Sequence, residues 1–288
     1  MSAPDVSAII VNYNAGPDLG RALQSIADEL ADQRWEAVVV DNDSSDGSGA
    51  GVEAFAPHAR LVRNTQNVGF ARGVNQGLSA TSGAFVLIMN PDCRLTTGAV
   101  AVLRRELGQS EQCAIVGPQI LNPDGSPQGS ARGDPDMFTG LFGRSGTLRR
   151  LLPGLPISRR NVVGDASVPN GQASLIVDWL SGACMLARRD ALRAVRGFDE
   201  RYFLYWEDAD LCRRLRALGY HVRYVPGATA VHRVGHSSRS VRRWAIRAFH
   251  DSAYLYYSTH VTSAAPTKRL LARLLLSARC WVKVQTSK

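Results

Sequence analysis

Polar residues follow three apolar segments in the first third of the chain. Tyr13 follows the first segment, Asp41 comes at the end of the second, and Asn90 and Asp92 follow the fourth. In a parallel sheet, ligands bind where the carboxyl ends of the strands meet the following loops. One aspartate after a strand is more often a helix cap than a ligand, but three polar strand ends together favour a binding site.

Asp41 has the chemistry and position of a ribose-binding carboxylate, because it can accept hydrogen bonds from a sugar hydroxyl or a base N–H. The first apolar segment is followed by NYNAG rather than by a G-x-G-x-x-G turn, and the chain contains no Walker A sequence. A nucleotide diphosphate would therefore have to be held by a metal ion or by basic side chains.

Asp92 is the first candidate for a metal ligand, since a hard divalent cation binds carboxylate oxygens and completes its coordination with waters and substrate phosphates. One carboxylate makes a weak site, and His232 in ATAVHRVGHSS is the best further candidate. Imidazole suits Mn²⁺ and is less typical of Mg²⁺. His236 could compete for this role, and taken alone His232 is more simply interpreted as a structural histidine.

The segment FDERYFLYWEDADLCRRL concentrates aromatic and acidic residues at a predicted helix start. Acidic residues in a first turn favour the helix dipole, which is a structural explanation for Glu207, Asp208 and Asp210. Alternatively, the preceding aromatic residues wall off a carboxylate, and its desolvation makes it a better base toward an alcohol. The residue types alone favour both interpretations equally.

Strand-like and helical patterns alternate over the first 120 residues. Strands are predicted at Val6–Val11, Ala37–Val40, Leu61–Val62, Phe85–Met89 and Ala114–Val116, and helices at Asp18–Leu30, Gly69–Ala80 and Thr97–Leu107. Fully apolar strands alternating with helices predict a Rossmann-like α/β half, a parallel sheet covered on both faces. Residues 122–172 are irregular, which predicts either a substrate lid or a surface excursion. A helix at Glu207–Leu218 and a strand at Val222–Val225 follow.

Length and composition limit the class of protein. The 288 residues allow one large domain or two small ones, and 45% hydrophobic with 20% charged residues predict a folded core. The net charge of +9 suits an anionic partner, although no nucleic-acid-binding motif is present. Five scattered cysteines argue against a zinc site and a disulfide framework and for a reducing cytosol. Without a signal-peptide pattern or an apolar stretch of about 20 residues, we expect a soluble or peripheral intracellular protein.

Residues 267–284, TKRLLARLLLSARCWVKV, predict a basic amphipathic helix. Leucines, Trp281 and Val282 fall within one arc of a helical wheel, and Lys and Arg fill the opposite arc, where only Leu276 and Cys280 intrude. Such a helix is typical of an anchor on an anionic membrane surface. The alternative is a terminal helix packed on its own domain.

Seven motifs occur in an order that resembles the family 2 glycosyltransferases. They are IIVNYNAG, VVVDNDSSDGS, NVGFARGVNQG, FVLIMNPD, WLSGACMLARRDAL, GFDERYFLYWEDADLCRRLRALGY and VHRVGHSS. The resemblance covers residues 6 to 240 and is strongest to bacterial rhamnosyltransferases that act on polyprenyl-diphosphate-linked acceptors. It implies a GT-A fold, a nucleotide-sugar donor, Mg²⁺ or Mn²⁺, and an inverting single displacement.

The resemblance also implies roles for individual residues. Asp208 matches the catalytic base, and Asp92 and His232 match metal ligands. Asn90 replaces the first aspartate of the family's Asp-x-Asp segment, as in the rhamnosyltransferase-like branch, which removes one charge from the site. The nucleotide-sugar site would comprise Val11, Tyr13, Asp41, Asn67, Gly69, Arg72, Asn75, Asn90 and Asp92. The acceptor side would comprise Trp179, Ser181, Gly182 and Glu207.

From the resemblance we expect transfer of L-rhamnose from dTDP-rhamnose to a lipid-linked or other glycan acceptor. A UDP-sugar donor, such as UDP-galactofuranose or UDP-N-acetylglucosamine, and a non-catalytic sugar-nucleotide-binding relative are the alternatives. We expect a GT-A domain over 1–240, with a nucleotide-sugar half (1–120) and an acceptor half (121–240), followed by a helical extension (241–288). The enzyme is expected in the cytoplasm, on the inner face of the cell membrane, without a nucleic-acid partner.

Overall fold

The computed structural model describes residues 3–135, 174–233, 242–262 and 265–287. Its strands are β1 (Val6–Asn12), β2 (Trp35–Asp41), β3 (Ala59–Arg63), β4 (Phe85–Met89), β5 (Cys93–Leu95), β6 (Cys113–Leu121), β7 (Ala131–Arg132), β8 (Leu175–Val177), β9 (Trp179–Leu180), β10 (Cys184–Arg188) and β11 (His221–His232). Its α-helices are α1 (Asp18–Glu29), α2 (Phe70–Ala80), α3 (Ala99–Gly108), α4 (Arg189–Ala194), α5 (Glu207–Ala217), α6 (Arg242–Tyr256) and α7 (Pro266–Thr286).

One mixed sheet organises the protein, with the strand order β3-β2-β1-β4-β10-β6-β11-β5 and with β8 paired to β11. Strand β1 is parallel to β2 and β4, β2 is parallel to β3, and β6 is parallel to β11. Strand β10 is antiparallel to β4 and β6, and β5 and β8 are antiparallel to β11. The sheet is therefore mostly parallel, and β1, β2, β4, β6 and β11 all end at the same edge.

Helices cover both faces of this sheet, as the apolar strands predict. All seven residues of β1 are buried, and they alternate between two core clusters. Ala8 and Ile10 pack with residues of α1 and α3, whereas Ile9 and Val11 pack with residues of α2 and α5. A strand that is buried on both faces needs apolar residues at every position rather than at alternate positions.

Two glycines bring α2 close to β1. A Cβ atom added at Gly73 would lie 2.9 Å from the Val11 methyl carbons, and one added at Gly77 would lie 2.4 Å from Ile9 Cγ2. Because any larger residue would push the helix away, these glycines set the distance of α2 from the strand. The Val11 side chain, on β1, is thereby packed against the first turns of α2.

Strand β11 extends well beyond the predicted strand at Val222–Val225. Its pairing with β6 shifts register between Val225 and Thr229 and then continues to His232, so the Pro-Gly pair interrupts the ladder without ending the strand. The end of β11 also pairs with the short β5, which the sequence did not predict, and this pairing places Cys93 opposite His232. His232 therefore ends a strand beside the segment that contains Asp92.

The chain after β11 is helical in its described part, as predicted. Helix α6 leads through a π-helical turn (Tyr257–Val261) into α7, and α7 packs along α6. No described helix has the length and apolarity that a membrane span requires. The predicted boundary at 240/241, His236 and most of the irregular stretch 122–172 lie outside the described residues, and the domain boundaries stay a prediction.

Candidate active site

Asp41 lies at the end of β2 in a network of polar side chains. Asn12 Nδ2, at the end of β1, donates to Asp41 Oδ1 at 2.9 Å and to Ser48 Oγ at 2.8 Å. The Ser44 hydroxyl also donates to Asp41, and the aspartate is buried. The carboxylate is therefore held in one orientation at the edge of the sheet. Tyr13 follows Asn12 directly, at the end of the neighbouring strand β1.

A group of amide side chains connects this network to the start of α2. Asn42 Nδ2 donates to Asn67 Oδ1 at 3.2 Å and to the backbone carbonyl oxygen of Gly69 at 3.1 Å. Asn67 Oδ1 in turn accepts the Gly69 N–H at 3.0 Å. Asn67 and Gly69 therefore lie next to the end of β2, and their assignment to the nucleotide site stays a prediction.

Gly69 also contacts the loop that contains Phe203. Its φ is +86°, and an added Cβ would lie 2.5 Å from the backbone carbonyl oxygen of Phe203. The same carbonyl oxygen accepts the Phe70 N–H at 2.8 Å. Only glycine satisfies both the left-handed backbone and the close approach, so this position holds the Phe203 loop against α2.

Arg72 and Asn75 face the segment before that loop rather than the strand ends. Asn75 Nδ2 donates to the Phe198 carbonyl oxygen at 2.9 Å, and its Oδ1 accepts the Phe198 N–H at 2.9 Å. Arg72 forms an exposed ion pair with Glu200, with Nε 3.8 Å from Oε2. The structure therefore places these two residues between α2 and residues 198–200, and their assignment to the nucleotide site stays a prediction.

Asp92 and His232 come together across the β5–β11 pair. His232 Nε2 lies 3.1 Å from Asp92 Oδ1 and 3.4 Å from Asn90 Nδ2. Asp92 is buried, and only 12% of the His232 side chain is exposed. The three residues that the sequence singled out here are therefore neighbours, although 140 positions separate His232 from Asp92.

Asp208 is the second residue of α5, and backbone N–H groups hold both of its carboxylate oxygens. Its Oδ2 accepts the Gly182 N–H at 2.9 Å, and its Oδ1 accepts the Ala209 N–H at 2.8 Å. The side chain is 8% exposed. Two N–H donors on different oxygens fix the orientation of the carboxylate.

The loop before β10 connects Asp208 to the Asn90 segment. Gly182 donates to Asp208, and the carbonyl oxygen of the next residue, Ala183, accepts the Asn90 N–H at 2.9 Å. Two consecutive residues therefore touch both the candidate base and the candidate metal-binding segment. This short path of contacts brings Asp208, Asn90, Asp92 and His232 to one edge of the sheet.

Trp179, Ser181 and Glu207 lie around the same loop. The Trp179 indole N–H donates to the Gly133 carbonyl oxygen at 2.9 Å, and the Arg132 guanidinium lies 5.2 Å from the centre of the Trp179 ring. Ser181 pairs through its backbone N–H with the carbonyl oxygen of Ser130. Glu207 is buried at the first position of α5.

Sequence reasoning missed Gln128, which contacts His232 from the side away from Asp92. Gln128 Oε1 lies 2.9 Å from His232 Nδ1, and Gln128 follows a turn in which the Asn122 and Ser126 backbones are hydrogen-bonded. The sequence signal was the turn NPDGSP, which predicts that the chain reverses and returns. The start of the irregular stretch is thus an ordered hairpin next to the candidate metal ligand.

The cysteines near the site stay as neutral thiols. A hydrogen bond with the Cys184 thiol and burial raise the pKa of Cys93, beside Asp92. Burial raises the pKa of Cys212, on α5, to about 12. Metal ligation and nucleophilic attack both require the thiolate, so the carboxylates and His232 are the reactive groups here.

The chemistry of Asp92 and His232 fits a divalent cation. Two ligand atoms at adjacent octahedral positions around Mg²⁺ lie about 3 Å apart, because each is about 2.0–2.1 Å from the ion, and Asp92 Oδ1 and His232 Nε2 are 3.1 Å apart. Among the described residues, no three His, Cys, Asp or Glu side chains gather into a metal-binding group. The pair therefore leaves positions for water and for the oxygens of a diphosphate.

Comparisons with known proteins identify the family of the chain. Residues 7–162 match the family model described as glycosyl transferase family 2, and residues 164–281 match that of glycosyl transferase family group 2. The chain is 32% identical, over 263 residues, to the N-acetylglucosaminyl-diphospho-decaprenol L-rhamnosyltransferase of Mycobacterium tuberculosis. That match covers 86% of this chain and 82% of the relative.

Two solved structures share the fold at low sequence identity. GalNAc-T7 with UDP, GalNAc and Mn²⁺ aligns with a TM-score of 0.63 and 15% identity over 96% of this chain and 55% of that chain. The mannosyltransferase PcManGT from Pyrobaculum calidifontis, in complex with GDP-Man and Mn²⁺, aligns with a TM-score of 0.56 and 18% identity over 100% of this chain and 77% of that chain. The predicted GT-A fold is thereby confirmed, and the chain belongs to glycosyltransferase family 2.

Proposed function

We propose that the chain is an inverting transferase that moves L-rhamnose from dTDP-rhamnose to a hydroxyl of a polyprenyl-diphosphate-linked glycan, with Asp208 as the general base. The transferred sugar and the acceptor are suggested by the mycobacterial relative, which is named as an L-rhamnosyltransferase acting on a decaprenyl-diphosphate-linked sugar, and the dTDP carrier is the one that the motif resemblance implies. The observation that carries the base assignment is the buried Asp208 carboxylate, held by two N–H groups and linked through Gly182 and Ala183 to Asn90.

The proposed reaction is a single displacement. Asp208 accepts the proton of the acceptor hydroxyl while that oxygen attacks the anomeric carbon from the face opposite the nucleotide. The bond between the anomeric carbon and the β-phosphate oxygen breaks, and the nucleoside diphosphate leaves with both bonding electrons. Because attack and departure are on opposite faces, the anomeric configuration inverts.

On this proposal the donor lies along the strand ends, with its diphosphate at Asp92 and His232. Bound Mg²⁺ or Mn²⁺ would supply positive charge where negative charge develops on the leaving group. Asp41 accepts hydrogen bonds from the nucleoside, beside Val11 and Tyr13, and Asn67 and Gly69 form the adjoining wall. Arg72 and Asn75 support that wall from outside.

The acceptor approaches over Trp179, Ser181, Gly182 and Glu207.

We also propose that α7 docks on an anionic membrane surface at the cytoplasmic side, where the acceptor lipid is anchored. The apolar arc of α7 is exposed: Leu270 is 61%, Leu274 60% and Trp281 66% accessible to solvent. The helix contacts α6 through its other side, where Ala272 and Leu276 are buried. Leu276, which interrupts the basic arc in the sequence, is therefore part of the packed face, and the exposed leucines are left for a lipid surface.

Charge and redox state support this location. Exposed basic residues flank the apolar arc at Lys268, Arg273 and Lys283, and Arg247 adds charge on α6. Lys and Arg beside an apolar helix face are attracted to anionic headgroups. All five cysteines are free thiols, which is typical of a reducing compartment.

A donor panel tests the proposed reaction. The purified chain is incubated with a synthetic polyprenyl-diphospho-N-acetylglucosamine and with dTDP-rhamnose, UDP-galactofuranose or UDP-N-acetylglucosamine, in the presence of Mg²⁺ or Mn²⁺. We expect product only from dTDP-rhamnose, with inverted anomeric configuration by NMR. If only a UDP-sugar gives product, the donor is that UDP-sugar and not dTDP-rhamnose. Donor binding without any transfer would identify a non-catalytic relative.

A further inference from the structure

Gln128 contacts His232 at two points, and the proposed mechanism does not use it. Its Oε1 lies 2.9 Å from His232 Nδ1, and its Nε2 donates to the His232 backbone carbonyl oxygen at 2.5 Å. The same Nε2 donates to Asn122 Oδ1 at 2.9 Å. The glutamine therefore holds both the ring and the backbone of the histidine.

The neighbours of Gln128 fix which end of its amide faces the ring. Carbonyl oxygens only accept hydrogen bonds, so the amide NH₂ must point toward the His232 backbone and Asn122. The amide oxygen then faces His232 Nδ1, and because that oxygen also only accepts, Nδ1 must carry the proton. The bonding pattern thus selects the Nδ1–H tautomer of the neutral ring.

In this tautomer, His232 Nε2 keeps a free lone pair on the side of Asp92. Asn90 Nδ2, at 3.4 Å, can donate to it, whereas Asp92 Oδ1, at 3.1 Å, presents a second lone pair. Two acceptors at this distance repel each other unless a cation lies between them. In the Nε2–H tautomer, His232 would donate a hydrogen bond to Asp92 Oδ1. That hydrogen bond would keep both atoms from binding a cation.

We propose that Gln128 is a positioning residue that holds His232 in the Nδ1–H tautomer and so presents Nε2, beside Asp92, as a ligand for a divalent cation. This inference rests on the proposed metal site. Hydrogen bonds from a second residue to a ligating histidine orient the ring and typically change metal affinity or activity by about 10- to 100-fold.

The tautomer can be observed directly, without turnover. NMR spectra that correlate imidazole nitrogens with ring protons distinguish the two neutral tautomers, and about pH 8.5 leaves an ordinary histidine neutral. We expect wild type to show Nδ1–H at His232, because the Gln128 amide oxygen accepts from that nitrogen. In Gln128→Leu the ring loses its acceptor, and we expect the Nε2–H tautomer paired with Asp92.

Mn²⁺ binding, followed by the EPR signal of the free ion with and without dTDP, tests the consequence. We expect Gln128→Leu to raise the dissociation constant about 10- to 100-fold. Asn122→Ala is the control, because it removes a partner of Gln128 but not the ring contact, and it should leave both tautomer and affinity near wild type.

Three results would overturn the inference: an Nε2–H tautomer in wild type, a wild-type tautomer and affinity in Gln128→Leu, or no Mn²⁺ binding by the wild type. The donor panel measures sugar transfer independently of these readouts. Failure of rhamnosyl transfer would therefore refute the proposed donor while leaving the tautomer result in place.

Discussion

Asp208 combines two features that sequence analysis could not separate. Its position in the first turn of α5 satisfies the helix dipole, which is the structural interpretation. Its Oδ2 also accepts a hydrogen bond from the N–H of Gly182, 26 residues earlier in the chain, and the next residue, Ala183, contacts Asn90. The proposed catalytic role of Asp208 rests on this second contact, which links the first turn of α5 to the loop before β10.

We expect Asp208→Asn to lower kcat by about 10²- to 10⁴-fold, the usual contribution of a positioned general base. The amide keeps the shape of the side chain but cannot take a proton from the acceptor. The dissociation constant of the nucleotide-sugar, measured by calorimetry, should stay near wild type, because the proposed nucleotide contacts lie on other elements than α5.

Glu111→Gln is the matched control, since Glu111 is exposed and precedes β6 at the opposite edge of the sheet. It removes the same charge and should leave kcat unchanged. Turnover near wild type in Asp208→Asn would show that another group accepts the proton.

At the scale of elements, the loop before α5 is held from two sides. Tyr205 and Trp206 both have positive φ, at 68° and 70°, and conformations of this kind persist only where the surroundings enforce them. Helix α6 supplies part of the contacts that hold these conformations. Ser252 Oγ donates to the Leu204 carbonyl oxygen at 2.9 Å, and the Trp206 ring lies 5.3 Å from that of Tyr256. The helical extension thus supports the loop that leads to Asp208.

Gly69 supplies the support from the other side, and its substitution measures how much the contact contributes. In Gly69→Ala the new Cβ would lie 2.5 Å from the Phe203 carbonyl oxygen at a φ of +86°. A non-glycine residue in such a backbone region costs about 1–3 kcal/mol before the clash is counted. We therefore expect a lower free energy of unfolding in denaturant titrations, together with a reduced kcat.

Gly20→Ala is the control for this experiment. Gly20 lies in α1, and nothing lies within 4 Å of its added Cβ. Alanine should stabilise that helix by about 0.5–1 kcal/mol without changing kcat. Equal stability of Gly69→Ala and wild type would show that the Phe203 loop can move away from α2 at no cost.

The sequence predicted the local elements well, because strand and helix patterns depend on neighbouring residues. The ends of β1, β2 and β4 carry the polar residues that were singled out. The sequence did not predict β5, the continuation of β11 past Pro226, or the return of Gln128 to His232. Each of these depends on pairing between distant segments. Strand β5 forms because it pairs with His232 and its neighbours, and a strand of three residues is too short to show a periodic pattern in the sequence.

At the scale of the whole molecule, the candidate site and the exposed leucines of α7 are connected through α6. Helix α7 packs on α6, and α6 contacts the loop that precedes α5. Arg269 Nη2, on α7, also donates to the Ser258 carbonyl oxygen at 3.0 Å. An apolar helix face with flanking basic residues is thus connected through α6 to the element that carries Asp208. A protein docked through α7 would hold its site at a defined position relative to a lipid-linked acceptor.

The double substitution Leu274→Glu and Trp281→Glu tests this docking, because both side chains are exposed and contribute little to the core. Burying one such side chain in an apolar environment is worth about 1.5–3 kcal/mol, so the double variant should bind anionic vesicles at least about tenfold more weakly in co-sedimentation. Its kcat on a water-soluble acceptor with a short prenyl chain should equal wild type, whereas its rate on a long-chain acceptor embedded in vesicles should fall with binding. Added salt should weaken wild-type binding, since it screens the basic residues.

Gln24→Glu with Gln109→Glu is the matched control, because it adds the same two charges at exposed positions on α1 and after α3. These substitutions leave α7 intact, so vesicle binding should stay near that of wild type. If both double variants lose binding equally, net charge rather than the apolar face of α7 attracts the protein to the membrane. If neither does, the apolar face of α7 does not carry the vesicle binding.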